Sequence, residues 1–253
     1  MLFADDFIDG DKFEELRCVD ILYYDTHEVQ MPNIGHPYTL ITHNSDNSPP
    51  NMELPPYITK WYAQNLSHHK ENVHSIPIGL ERKRWHPWKM ATMSSADISL
   101  PRMVRAVAQF NPGTNNTLRL PVAEICQSGR IPCDFEWTWN GFNFDSYINN
   151  LTKYYFCICP PGNGVETHRM WEALYLGCIP IVQRHIAHNA VHDLPILFID
   201  DWSEVTTKLL EDTLDRTHYF RHNNIVPSRI QKMSFSYWKN VILSGSDPIT
   251  TFY

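Results

Sequence analysis

Between Phe156 and Val182 the chain combines residue types that can hold an anion. Gly162 and Gly164, on either side of Asn163, let a backbone approach a ligand closely. Glu166 and Thr167 follow, and Thr167 is of the type that caps a helix start. A helix opening there directs its partial positive charge at the glycine loop, an arrangement suited to phosphate. His168 and Arg169 occupy its first turn, where a guanidinium can clamp a diphosphate with two parallel hydrogen bonds. Glu172, three residues on, offers a carboxylate that accepts hydrogen bonds from both hydroxyls of a ribose. The bland reading of the same residues is an ordinary strand, loop and helix, with Arg169 and Glu172 as a surface ion pair worth little.

These side chains need a scaffold, and the apolar pattern supplies one. Tyr154–Cys159 is an unbroken apolar run, as expected of a strand covered on both faces. A helix from Thr167 to Leu176 ends at Gly177, a suitable C′ residue, and Cys178–Val182 and Ile196–Ile199 read as further strands. Upstream, strands are expected at Met103–Phe110 and Asp134–Thr138, with helices at Leu118–Ser128 and Phe144–Lys153. In the first part of the chain, Val19–Tyr24, Tyr38–Thr42 and Val73–Ile78 read as short strands. Ile58, Trp61, Tyr62 and Leu66 fall near helical spacing, so a helix is expected from Pro56 to Ser67. Residues from about 80 to 100 break the rhythm and read as a connection. The inferred architecture is α/β, two Rossmann-like domains facing one cleft: a small domain over 1–90, and a larger one over 91–253 whose last helix packs back on the first.

Composition narrows the function classes. The 253 residues are 43% hydrophobic and 19% charged, which is globular composition. A formal charge of -7 argues against a protein built to grip nucleic acid, since that affinity rests on Lys and Arg. No apolar run approaches a membrane span of about 18 residues, and no signal peptide is visible; a cytoplasmic location is the expectation. The six cysteines lack zinc-like spacing and read as buried reduced thiols. Asn65, Asn115 and Asn150 open glycosylation acceptor patterns that read as chance matches.

Cys159, Pro160, Gly162, Arg169, Glu172, Ala173, Gly177, Cys178, Ile179 and Pro180 stand in the pattern of the donor-binding core of another group of proteins. The stretch resembles that of the exostosin-like (GT47-type) glycosyltransferases, an inverting, metal-independent group of GT-B fold. The match covers about thirty residues, departing at His168, and the small first domain resembles the compact forms encoded by large DNA viruses. The resemblance implies transfer of a sugar from a nucleotide-sugar, with UDP the expected carrier, to a hydroxyl of a glycan acceptor. It implies a donor site at Gly162, Asn163, Gly164, Glu166, Thr167, His168, Arg169 and Glu172. It extends that site to Thr114 and Arg119, in and after the loop Asn111–Thr117, and to Trp139 as a platform for the base.

Inverting transfer needs a base near the acceptor hydroxyl, and the resembled layout places it in the first domain after a strand. Asp46 and His43 fit that position, with Asp25 and His27 as the other pair. No Asp-x-Asp motif follows a strand, so neither a catalytic metal nor another cofactor is expected; Asp200 and Asp201 read as a helix cap. The competing readings are a sugar-nucleotide epimerase or hydrolase of the same fold, and a non-catalytic sugar-nucleotide or glycan-binding module.

Overall fold

A computed structural model describes residues 3, 5–138, 143–217 and 230–248. Among the described residues, nine strands form two parallel sheets. The first holds β1 (Ile21–Tyr24), β2 (Tyr38–Thr42), β3 (Ile58–Ala63) and β4 (Val73–Ser75) in the order β1-β2-β3-β4. The second holds β5 (Met103–Phe110), β6 (Cys133–Trp137), β7 (Tyr154–Ile158), β8 (Ile179–Gln183) and β9 (Leu197–Ile199) in the order β6-β5-β7-β8-β9.

The expected helix over 56–67 is a strand instead. Trp61 and Tyr62 are both buried, yet they belong to different core clusters, as neighbours on opposite faces of a sheet must. An interior strand buries both faces, so its apolar residues need not alternate and can mimic helical spacing. The β-branched and aromatic run Ile58-Thr-Lys-Trp-Tyr62 carries the strand preference that the spacing hid. The Trp61 indole N–H donates to Thr42 Oγ1 on the adjacent strand at 2.8 Å. The connections 25–37, 43–57 and 64–72 contain no helix, so parallel strands here are joined by irregular chain.

The second sheet follows the predicted alternation closely. Ala106, Ala108, Phe110, Phe156, Ile158, Ile179 and Ile181 point to one face, covered by α3 (Asn116–Gln127) and α6 (Thr207–Thr217). Val107, Cys157, Cys159, Cys178 and Val182 point to the other, covered by α4 (Phe144–Leu151) and α5 (His168–Tyr175). Each fully buried large apolar side chain contributes about 1.5–3 kcal/mol, and both faces are lined with them. All six cysteines are free thiols, five of them buried.

The segment expected to be a plain connection contains α2 (Pro87–Ser95), opened by Pro87 and packed into the core through Met90 and Met93. α1 (Gly10–Glu14) lies earlier, capped by Asp9. The last helix, α7 (Phe235–Ser244), returns to the first sheet: Phe235 meets Phe13 edge-on at 5.4 Å, and the Tyr62 hydroxyl donates to the Ser246 carbonyl at 3.0 Å. One hydrophobic cluster therefore runs from Ile41 and Tyr62 through α7 to Val107 and α5.

Candidate functional site

Strand order reverses between β5 and β7, since the chain leaves β5 for β6 on one side and returns to β7 on the other. In open α/β sheets the crevice outside the C-terminal strand ends at such a reversal is where ligands bind. The loop after β5 (111–115) and the loop after β7 (159–167) meet there.

Arg119, in the first turn of α3, staples the two loops together. Its Nε donates to the Pro161 carbonyl at 2.8 Å and its Nη1 to the Asn111 carbonyl at 3.1 Å. Asn115 caps α3 through Oδ1 and donates from Nδ2 to the Gly162 carbonyl at 2.8 Å. Arg169, in the first turn of α5, donates from Nη2 to the Gln109 carbonyl at 2.9 Å, lies 5.4 Å from the Tyr147 ring centroid, and keeps a buried Nε with no partner among the described residues. Burial, and then the charge of Arg169, pulls the Arg119 guanidinium down to about 10, still protonated at pH 7. Among the described residues, neither arginine has a carboxylate within ion-pair distance. Glu172 acts on the charge of Arg169 without a direct salt bridge, and two neighbouring cations at a helix start form an anion-binding arrangement.

Thr167 does hold the cap position of α5 with extended backbone, but its side chain makes no capping hydrogen bond, which leaves the first-turn N–H groups unclaimed by it. Asn163 and Thr114 are exposed at the two loop tips. Glu172 is buried and one oxygen accepts from the Tyr147 hydroxyl at 3.0 Å. Trp139 lies outside the described residues.

Glu166 and His168 are placed differently from the two arginines, because they tie the site to the first sheet. Glu166 is buried; Oε1 accepts from the Trp171 indole at 2.6 Å while Oε2 has no hydrogen-bond partner among the described residues, and burial pushes the carboxyl up to about 7. Its backbone N–H donates to Asn65 Oδ1 at 2.8 Å. His168 Nδ1 lies 2.9 Å from the carbonyl of Gly79, whose φ of +67° and contact with Ile8 leave no room for a side chain. Gly164 sits against Asn65 and the backbone of Asp46: a Cβ there would fall 2.7 Å from Asn65 Nδ2 and 3.1 Å from the Asp46 carbonyl oxygen.

The two expected base candidates separate. Asp46 is exposed beside Gly164 at the mouth of the crevice. His43 is fully buried against Phe13, with Nε2 3.1 Å from the Pro77 carbonyl, and burial pushes its ring down to about 4, so it is neutral at pH 7. His27 is also buried, bonded to Thr42 Oγ1 at 2.6 Å. Asp25 joins Asp11, Glu14, Arg82 and Arg84 in a charge cluster, with Arg82 buried at its centre. Arg82, Tyr147 and Asn65 are the supporting residues that spacing did not single out. Asn65 read only as a glycosylation acceptor, yet it is 2% exposed and spans both regions of the molecule.

No helix among the described residues is long and apolar enough to cross a membrane. A protein of Arabidopsis thaliana named as a probable glycosyltransferase is 35% identical over 63 residues, which is 25% of this chain and 12% of that relative's length. The crystal structure of an alpha1,3-fucosyltransferase aligns over 92% of this chain and 81% of its own, at 11% identity and a TM-score of 0.37, too distant to add to the reading. The Exostosin GT47 domain profile matches residues 67–233, which takes in the connection, the whole second sheet and both arginines. The chain belongs to the Exostosin GT47 family.

Proposed function

We propose that the protein transfers a sugar from a nucleotide-sugar, with UDP as the carrier, to a hydroxyl of a glycan acceptor, inverting the anomeric centre and using no metal. The observation that carries this is the pairing of Arg119 and Arg169 at the β5–β7 reversal, at the start of α5, with no direct carboxylate salt bridge to either guanidinium among the described residues. A diphosphate is the anion that spans two such cations, and the same charges would stabilise it as it departs. Glu172, held by Tyr147, keeps acceptor capacity for the ribose hydroxyls.

In the reaction, the acceptor oxygen attacks the anomeric carbon from the face opposite the diphosphate. The new carbon–oxygen bond forms as the bond to the phosphate oxygen breaks, the electron pair leaves with the nucleoside diphosphate, and the acceptor proton passes to Asp46. Asp46 is preferred to His43 because it is exposed at the crevice mouth, whereas His43 is sealed behind α1.

A thermal titration with UDP, GDP and ADP, with and without EDTA, tests the donor reading, because a ligand bound only by the folded state raises the midpoint. The expected result is a rise with UDP that EDTA leaves unchanged. Arg169→Ala should weaken UDP binding roughly 30- to 150-fold by calorimetry, the worth of about 2–3 kcal/mol of charged hydrogen bonding, without lowering the ligand-free midpoint much. No response to any nucleotide, or an unchanged affinity in the variant, overturns the placement of the diphosphate.

A further inference from the structure

A second concavity lies one to two strands along the same edge of the second sheet. Arg184 follows β8, Phe198 lies in β9, and the short 3-10 helix Ile186–Val191 packs on β4 of the first sheet, where the Ser75 hydroxyl donates to the Ala187 carbonyl at 3.1 Å. Parallel strands are spaced about 4.8 Å apart, so this edge is roughly 5–10 Å from the end of β7, about the span of one sugar ring. The cavity measures ≈ 360 Å³, within the usual range for ligand sites of about 300–1,000 Å³. His69, from the first sheet's β3–β4 connection, closes its other wall, so both sheets contribute.

The lining has the chemistry of hydroxyl recognition. His188 is 3% exposed, and among the described residues its Nδ1 has no hydrogen-bond partner. A polar group left unsatisfied at that burial costs stability unless something fills the role. Burial, and then the neighbouring His185, pushes the His188 ring down to about 4, so it is neutral and offers one donor and one acceptor. His192 and Asn189 add polar side chains beside it, and the Phe198 ring, 6.0 Å from that of His188, supplies the apolar face on which a sugar ring can lie. Arg184, the cation of the lining, is already paired with Asp200 at 3.2 Å, which weakens the case for an anionic ligand. Among the described residues, no three His, Cys, Asp or Glu groups are arranged to hold a metal ion, so the histidines are not disposed as a cation site.

We propose that this cavity is a subsite for the neutral, hydroxyl-rich part of the acceptor glycan, gripping a sugar next to the one that receives the transferred residue. The inference rests on the sugar-transfer reading for its ligand class. It gives the acceptor a path along the groove between the sheets, from the cavity to Asp46.

Fluorescently labelled protein is applied to a printed array of short neutral oligosaccharides, as wild type, as His69→Ala/His192→Ala, and as Asn189→Ala. The same proteins are titrated with UDP by thermal midpoint, which also reports that each is folded. The expected result is at least one glycan bound by wild type, bound about tenfold more weakly by the variants, with the UDP response retained. Glycans bound equally by all three proteins, or none bound while UDP still stabilises them, overturns the subsite and leaves the donor reading standing. Loss of glycan binding in the variants with no UDP response in any protein supports the subsite and sinks the donor reading.

Discussion

The two sheets solve one problem in different ways. Both are parallel and present their strand ends to a common crevice. The second sheet wraps its crossovers in helices, and α3 and α5 deliver Arg119 and Arg169 to fixed positions from rigid elements. The first sheet joins its strands with irregular chain, and those connections bring up Asp46, Asn65 and His69. Rigid elements suit a donor whose diphosphate must be held the same way in every turnover. Loops suit a partner-facing surface that can vary without disturbing the sheet beneath. Besides the shared hydrophobic cluster, the regions meet at the crevice through polar contacts: Asn65 with Glu166, His168 with Gly79, and Gly164 against Asp46.

This division of labour can be broken from either side. Asp46→Asn should cost the most, lowering kcat about 10²- to 10⁴-fold while UDP affinity stays as in wild type. An unchanged kcat would remove Asp46 from the chemistry and make the first sheet's loops a binding surface only. Trp61→Ala, in the interior strand of the sheet whose connections are irregular, should destabilise the fold by about 3–5 kcal/mol in denaturant melts. A loss below about 1 kcal/mol would mean that the first sheet tolerates voids that a packed core does not.

Glu166→Gln sharpens the contact between the regions. The folded carboxyl sits at about 7 against 4.5 in the unfolded chain, so the native state holds the extra proton between those values. Its contribution is therefore full below pH 4.5 and is lost as pH rises through 7. Between pH 4.5 and 8, wild type should lose about 3 kcal/mol relative to the Gln variant, measured as the difference between their denaturant curves. Parallel curves would show that Glu166 is ionised throughout. The smallest effect is expected from Gly164→Ala, where the added methyl pushes the loop off Asn65 and Asp46. Transfer should slow about tenfold with nucleotide affinity unchanged, since only the register between donor and base shifts. A matching loss of UDP binding would show that the loop belongs wholly to the donor.

The same contrast explains what could be read in advance. The run 154–159 is legible because a strand buried on both sides has no polar face to interrupt it, and Gly177 marks the end of α5 with a φ of +71°. Arg169 was legible as a first-turn residue because a helix start has a local signature, whereas Arg119 was singled out only through the family resemblance. Residues 58–63 were misread because Trp61 and Tyr62 serve two cores at once, a fact of the tertiary neighbourhood. Asn65 has a left-handed φ of +57° and pairs with Glu166 across 101 positions of sequence, and no local pattern announces either. The hydroxyl of Tyr147 on Glu172 is of the same kind. His43 had the right residue type after the right strand, but only the packing of Phe13 and α1 reveals that it is sealed.

The return of α7 to the first sheet has a consequence for biosynthesis. Tyr62 waits for the carbonyls of Val241 and Ser246, Lys60 for Asp247, and Phe13 for Phe235. A nascent chain that has exposed only the first four strands holds an unfinished sheet with one greasy face bare. It must stay tethered in that state, open to chaperones, until residues 235–247 emerge from the ribosome and close the lid.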